Sequence, residues 1–145
     1  AGLLHDCAKC LSHEERVDLC NQYHVDITTS EITNKSLLHA KAGAILAKQL
    51  YNIDDPEILH AICVHTTGEP NMQLLDKIIY VADYIEPGRD KAPNLEFLRK
   101  IAYQDIDQCI ACISFDTLTY LNTQKGSIDP TTQLTYEFYR QYKED

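Results

Sequence analysis

Residues 36–50 read SLLHAKAGAILAKQL, and their spacing predicts a helix. Leu38, Ala42, Ile45, Leu46 and Ala47 form one apolar stripe at helical intervals, in a stretch rich in Ala, Leu and Lys. His39 sits one residue to the side of that stripe. Such a histidine is either a satisfied core or boundary residue or a ligand. Ala40, Ala42 and Gly43 beside it are small, which permits close helix packing.

The same period extends in both directions. Residues 2–10 read as the end of a buried helix. Ser12-His13-Glu14-Glu15 is a capping box, with Ser12 able to cap and Glu15 to reach back, and opens a helix to about residue 23. The polar, β-branched stretch 25–35 reads as a loop. Asp54-Asp55-Pro56-Glu57 starts a helix that runs to about Thr66 and stops before Gly68-Glu69-Pro70. Another spans roughly Met72 to Ile85 and ends at Pro87-Gly88, and Asn94 caps the next, to about Tyr103. Asp105 opens a long helix, apolar on one face through Ile106, Cys109, Ile110, Ile113, Leu118 and Leu121. Pro130 begins the last, with Tyr136, Phe138 and Tyr139 on its aromatic face. No alternating strand pattern appears. The expected fold class is therefore all-α, a helical bundle in a single domain over residues 1–145.

Bulk composition narrows the partners. A formal charge of −9 argues against a general nucleic-acid surface, which needs clustered Lys and Arg. It leaves room for a small phosphorylated ligand, because bound metal ions reverse the local sign of the field. No apolar stretch approaches the roughly 20 residues that span a bilayer, so no membrane partner is expected. The sequence opens mid-pattern without Met and is read as N-terminally incomplete. Six cysteines include Cys7-x-x-Cys10 and Cys109-x-x-Cys112, whose spacing invites a zinc reading. Each pair lies in an apolar helical pattern, so free thiols behaving as small hydrophobes, in the cytoplasm, are the expectation.

Metal-ligand types recur at separated places. His5-Asp6 closes the run Ala1-Gly2-Leu3-Leu4, and His39, His65 and Asp83 follow at helical positions. Asp83 is a lone carboxylate in the apolar stretch 78–85, where it needs a metal or a salt bridge to offset desolvation. His65 ends a helix, where the dipole alone would favour an imidazolium. Lys9 lies three and four positions past the His-Asp pair, on its side of a helix. Arg89 has either a phosphate to clamp or Glu86 as a surface partner. His60 lies about 140° round the helix from His65 and is left out of the set.

The strings Leu-Leu-His-Asp-Cys-Ala-Lys (3–9), Leu-Leu-His-Ala-Lys-Ala-Gly (37–43), Val-His-Thr-Thr-Gly (64–68) and Ile-Ile-Tyr-Val-Ala-Asp-Tyr-Ile-Glu-Pro-Gly-Arg (78–89) resemble the HD-domain hydrolases. Within them they resemble the YqeK family, the symmetrical bis(5'-nucleosyl)-tetraphosphatases. That resemblance implies an HD-type bundle and a binuclear iron site, although the ligand types equally suit manganese and accommodate zinc. It implies His5, Asp6, His39, His65 and Asp83 as metal ligands, with Asp6 able to bridge, and one more His on an upstream helix. The activity implied is cleavage of diadenosine tetraphosphate to two ADP by a metal-bound hydroxide. Asp6, Lys9 and Arg89 would be the catalytic groups, and Lys9, Thr66, Thr67, Gly68 and Arg89 would hold the substrate. The competing expectations are the same chemistry on a nucleoside monophosphate or an alarmone, and a degenerate module that binds a ligand without turnover. The expected partner is a small nucleotide, with a homodimer left open.

Overall fold

The computed structural model describes residues 1–124 and 127–143, and no strand occurs among them. A 3-10 turn (η1, Cys7–Cys10) precedes α1 (His13–Gln22), α2 (Thr29–Thr33), α3 (His39–Tyr51) and α4 (Pro56–Val64). Then come α5 (Leu74–Tyr84), α6 (Leu95–Ile101), α7 (Ile106–Thr123), α8 (Pro130–Tyr139) and a second 3-10 turn, η2 (Arg140–Tyr142). The all-α expectation is borne out. Among the described residues no helix is long and apolar enough to cross a membrane.

Local chemistry sets most of the starts. The Ser12 hydroxyl accepts from the Glu15 amide, and Glu15 accepts from the Ser12 amide, as the capping box requires. Asp55, Asp105 and Asp129 cap α4, α7 and α8, with Pro56 and Pro130 in first turns.

Three expectations need correction. The stretch read as a loop contains α2, opened by a second reciprocal box between Thr28 and Glu31. Its Thr-x-x-Glu signal was hidden by β-branched neighbours. Asn94 precedes α6 in the left-handed region, φ 58°, without a side-chain cap. Its amide donates instead to Asp116 at 3.1 Å. Finally, residues 2–10 do not form a buried helix, since only Ala8 among them is buried. Their backbone bonds span three residues, Leu4 N to Ala1 O, Cys7 N to Leu4 O and Lys9 N to Asp6 O. In an α-helix the Gly2 carbonyl would accept from the amide four residues on. Here it accepts from the His5 ring at 2.7 Å.

Packing proceeds through two apolar clusters. Ala8, Cys20, Leu38, Ala42 and Ile45 join η1, α1 and α3. Val64, Met72, Tyr80, Val81, Leu98, Ile110, Ile113 and Tyr139 form the larger cluster, spanning α4 to α8. Leu98 and Ile110 are fully buried, so truncating either to Ala costs roughly 2–5 kcal/mol. Contacts of α3 with α4 and of α4 with α5 bridge the clusters, and the candidate ligands gather along that seam. All six cysteines are free, with Cys20 and Cys109 buried and Cys10 exposed. Among the described residues no cysteine joins a group able to hold a metal.

Candidate metal centre

Four elements each contribute an end. His5 and Asp6 lie in the turn leading into η1, and His39 is the first residue of α3. His65 is the C-cap of α4, and Asp83 lies in the last turn of α5. The turn reaches α3 because residue 43 is Gly: a Cβ there would stand 3.3 Å from the His5 carbonyl oxygen.

The protonation of the three rings follows from their backbone partners. His5 Nδ1 lies 2.7 Å from Gly2 O, His39 Nδ1 2.7 Å from Ser36 O, and His65 Nδ1 2.7 Å from Ile62 O. A carbonyl oxygen only accepts, so each Nδ1 carries a proton and donates it. Burial, with His65 alongside, pushes His39 down to about 4. Burial likewise lowers His65. Both rings are therefore neutral at pH 7, with a bare lone pair on Nε2. The bland account of His65, an imidazolium favoured by the helix dipole, loses to burial.

Those lone pairs converge on Asp6. Its Oδ1 is 3.3 Å from His39 Nε2 and 3.5 Å from His65 Nε2, and its Oδ2 is 3.4 Å from His5 Nε2. Asp83 Oδ1 stands 3.4 Å from His5 Nε2. The Nε2 atoms of His39 and His65 are 3.1 Å apart with no proton between them. Burial works to raise the Asp6 carboxyl, but its bond from Lys9, with His5 and His39 near, holds it below the usual carboxylate range. Lys9 Nζ donates to Asp6 Oδ2 at 2.6 Å, as the eclipsed three-residue spacing of a 3-10 turn allows. Asp6 Oδ1 is buried with no hydrogen-bond partner.

Neutral lone pairs facing one another around an ionised, orphaned carboxylate oxygen are costly unless a cation sits among them. The donors are of the types that suit iron, manganese or zinc. Each ring already gives its other N–H to a carbonyl, the usual support of a metal-binding histidine. His5, Asp6 and His65 each offer an atom within 4.8 Å of the others. The residues present fit a divalent metal.

Phosphate-facing candidates flank the centre. Arg89 Nη2 donates to the Asp83 carbonyl at 3.1 Å and lies 3.8 Å from Asp83 Oδ2. Arg89 thus faces Asp83 and not Glu86 in its ion pairing, and its buried Nε has no partner. Thr66, Thr67 and Gly68 line a cavity of about 250 Å³. Two of these three have structural employment. Gly68 N–H donates to Val64 O at 2.8 Å. Gly68 also takes φ 63°, and a Cβ there would lie 2.7 Å from Thr135 Cγ2. The Thr67 hydroxyl donates to the Gly68 carbonyl at 3.0 Å. The amide of Gly68 and the hydroxyl proton of Thr67 thus already have partners within the chain. Helix termination and packing on α8 explain them.

His60 lies elsewhere, in a second group with Glu69 and Asp76. Its Nδ1 is 3.0 Å from Asp76 Oδ1 and its Nε2 3.2 Å from Glu69 Oε1. Sequence reading missed this pairing, and it missed Arg16 too. The Arg16 guanidinium donates to Ala8 O, Lys9 O and Lys35 O, tying η1 to the segment before α3. Neither residue carries a sequence signal, since both look like surface charges until the fold brings acceptors to them.

The sequence matches the family described as HD domain over residues 1–88. It is 36% identical over 138 residues to a Bacillus subtilis protein named bis(5'-nucleosyl)-tetraphosphatase, symmetrical, covering 95% of this chain and 73% of that one. A Halalkalibacterium halodurans protein of the same name is 38% identical over 138 residues, covering 94% and 72%. A Clostridium acetobutylicum crystal structure, described as a predicted HD superfamily hydrolase involved in NAD metabolism, superposes with a TM-score of 0.91. That pair shares 40% identity over 97% of this chain and 74% of the other.

Proposed function

This chain belongs to the HD-domain family, among the symmetrical bis(5'-nucleosyl)-tetraphosphatases, and we propose that it hydrolyses diadenosine tetraphosphate to two molecules of ADP. The observation that carries the reading is the pair of unprotonated Nε2 atoms, from His39 and His65, that face the orphaned Oδ1 of Asp6. His5, Asp6, His39, His65 and Asp83 would hold the metal, which we take to be an iron pair, manganese and zinc being compatible with the same donors. When bound, it supplies Lewis acidity, polarising a phosphoryl oxygen and acidifying water.

The chain's own groups do the rest. Asp6 presents one oxygen to His39 and His65 and the other to His5 and Lys9, a placement suited to a bridging carboxylate. Lys9 is half-exposed, so its ammonium can turn from Asp6 to a substrate phosphate. Arg89 brings a guanidinium with an unpartnered Nε beside Asp83, and can offset charge on the transferring phosphoryl oxygens. Thr66 remains the candidate of its triplet for a polar contact to substrate. Six free thiols suit a reducing compartment, so a cytoplasmic location belongs to the proposal, as does one domain over residues 1–145.

Product analysis tests the reading. Incubation of the metal-loaded, full-length protein with diadenosine tetraphosphate is expected to yield ADP as the only nucleotide product. ATP with AMP would exclude symmetrical cleavage, and no turnover with substrate still bound would favour a ligand-binding module.

A further inference from the structure

We infer that Arg99, ten residues beyond Arg89, is a positioning residue that holds Arg89 at the metal centre. The inference rests on the reading of Arg89 as a phosphate-binding group. The loop that carries Arg89 connects α5 to α6, and from Glu86 to Asn94 it contains no buried residue. None of its side chains is buried in the core, so polar ties carry much of its placement.

Arg99 supplies three of them. Its Nε donates to Ile85 O at 3.0 Å, and its Nη2 donates to Glu86 O at 2.7 Å and to Arg89 O at 3.0 Å. Ile85 and Glu86 follow the last residue of α5, where carbonyls have no partner within the helix. A cation there also meets the negative end of the helix dipole. The third bond reaches the backbone of Arg89 itself. From that anchored carbonyl the Arg89 side chain turns toward Asp83, and its guanidinium lies 5.3 Å from the centre of the Tyr84 ring.

The anchor sits on a packed helix, whereas the loop has no buried residue. Arg99 lies on α6 beside Leu98, which is fully buried, and Leu95 and Ile101 are buried on the same short helix. A charged fork on a packed element thus ties the core to an arginine on a loop with no buried residue. Lysine keeps the charge but cannot spread it over three carbonyls, because the arrangement needs both Nε and Nη2.

A double-mutant cycle in the full-length, metal-loaded protein separates positioning from general support. Arg99→Lys, with Arg99→Gln as a second variant, is expected to lower kcat/KM about 10- to 100-fold, as for residues that orient a functional group. Metal content should be unchanged. In an Arg89→Ala background the same substitution should cost less than about twofold, since coupled residues lose additivity. Equal losses in both backgrounds, or full activity in Arg99→Lys, would overturn the inference while leaving Arg89 in its role. A silent Arg89→Ala would overturn that role and the inference with it.

Discussion

His60 and the buried pair His39 and His65 use the same residue type, and their surroundings push it in opposite directions. At His60 both ring nitrogens face carboxylates, Asp76 on one side and Glu69 on the other. Burial opposes charge on that ring, but the bonds and charges of Asp76 and Glu69 outweigh it and raise its pKa. Each ring nitrogen of His60 thus faces an acceptor. At His39 and His65 one nitrogen gives its proton to a carbonyl three residues back, and burial keeps the ring neutral, which leaves the other bare. Where a histidine's first proton goes thus decides whether its cluster is a strut or a receptor, and residue type does not.

The largest effect should come from the receptor. Asp6→Ala removes the carboxylate that the Nε2 atoms of His5, His39 and His65 share. Metal content by elemental analysis should collapse and turnover should fall by roughly 10³-fold or more, the worth of several kcal/mol of Lewis-acid stabilisation. Retained turnover would end the comparison, because the open cluster would then be doing nothing that the closed one does not. Arg89→Ala should lower kcat/KM about 10²-fold with metal retained, the scale for removing one charge-stabilising donor. Loss of metal in that variant would show that Arg89 supports the centre instead of the substrate.

Smaller effects sharpen the contrast. Metal removal by a chelator should lower the melting temperature, since a ligand held at 100 times its Kd contributes about 2.7 kcal/mol. In His60→Ala the chelator-dependent drop should be unchanged, and the substitution itself should cost about 1 kcal/mol through the hydrogen bond lost to buried Asp76. A chelator effect that vanishes with His60 would place the metal in the wrong cluster. The smallest effect concerns pH. Because folding raises the His60 pKa above its ordinary 6.5, its stabilisation is fully present below that value and fades as pH rises through the folded pKa. Melting temperatures across that window should decline in the wild type, and His60→Ala should flatten the decline.

Much of this architecture was legible beforehand, for reasons that also explain the gaps. Helices α3, α4, α5, α7 and α8 carry apolar stripes with Asp or Pro at most of their starts, and period and capping act locally. Asp83 stood out as a charge in an apolar run. His39 and His65 did not, since a histidine beside a stripe or at a helix end has ordinary explanations. Resemblance singled them out, and burial removes one ordinary explanation, since His65 is too deeply buried to be an imidazolium. The non-helical turn before η1 was illegible because there a side chain, His5, takes a backbone acceptor, the Gly2 carbonyl. Thr66-Thr67-Gly68 read as a phosphate contact because hydroxyls and a glycine suit both that role and a helix stop. The approach of Thr135 and the intrachain bonds of Gly68 and Thr67 bear on that choice only once the chain is folded. Long-range ties such as that from Arg16 to the Lys35 carbonyl leave no periodic trace at all.

Each ring of the centre is tethered to its own chain three residues upstream. Rotation about the side-chain bonds is thereby surrendered when the protein folds and not when an ion arrives. If these rings hold the metal as proposed, an incoming cation would meet a socket already cut to shape, and discrimination among ions would rest on radius and preferred geometry. Such a centre would trade adaptability for intolerance of misfits.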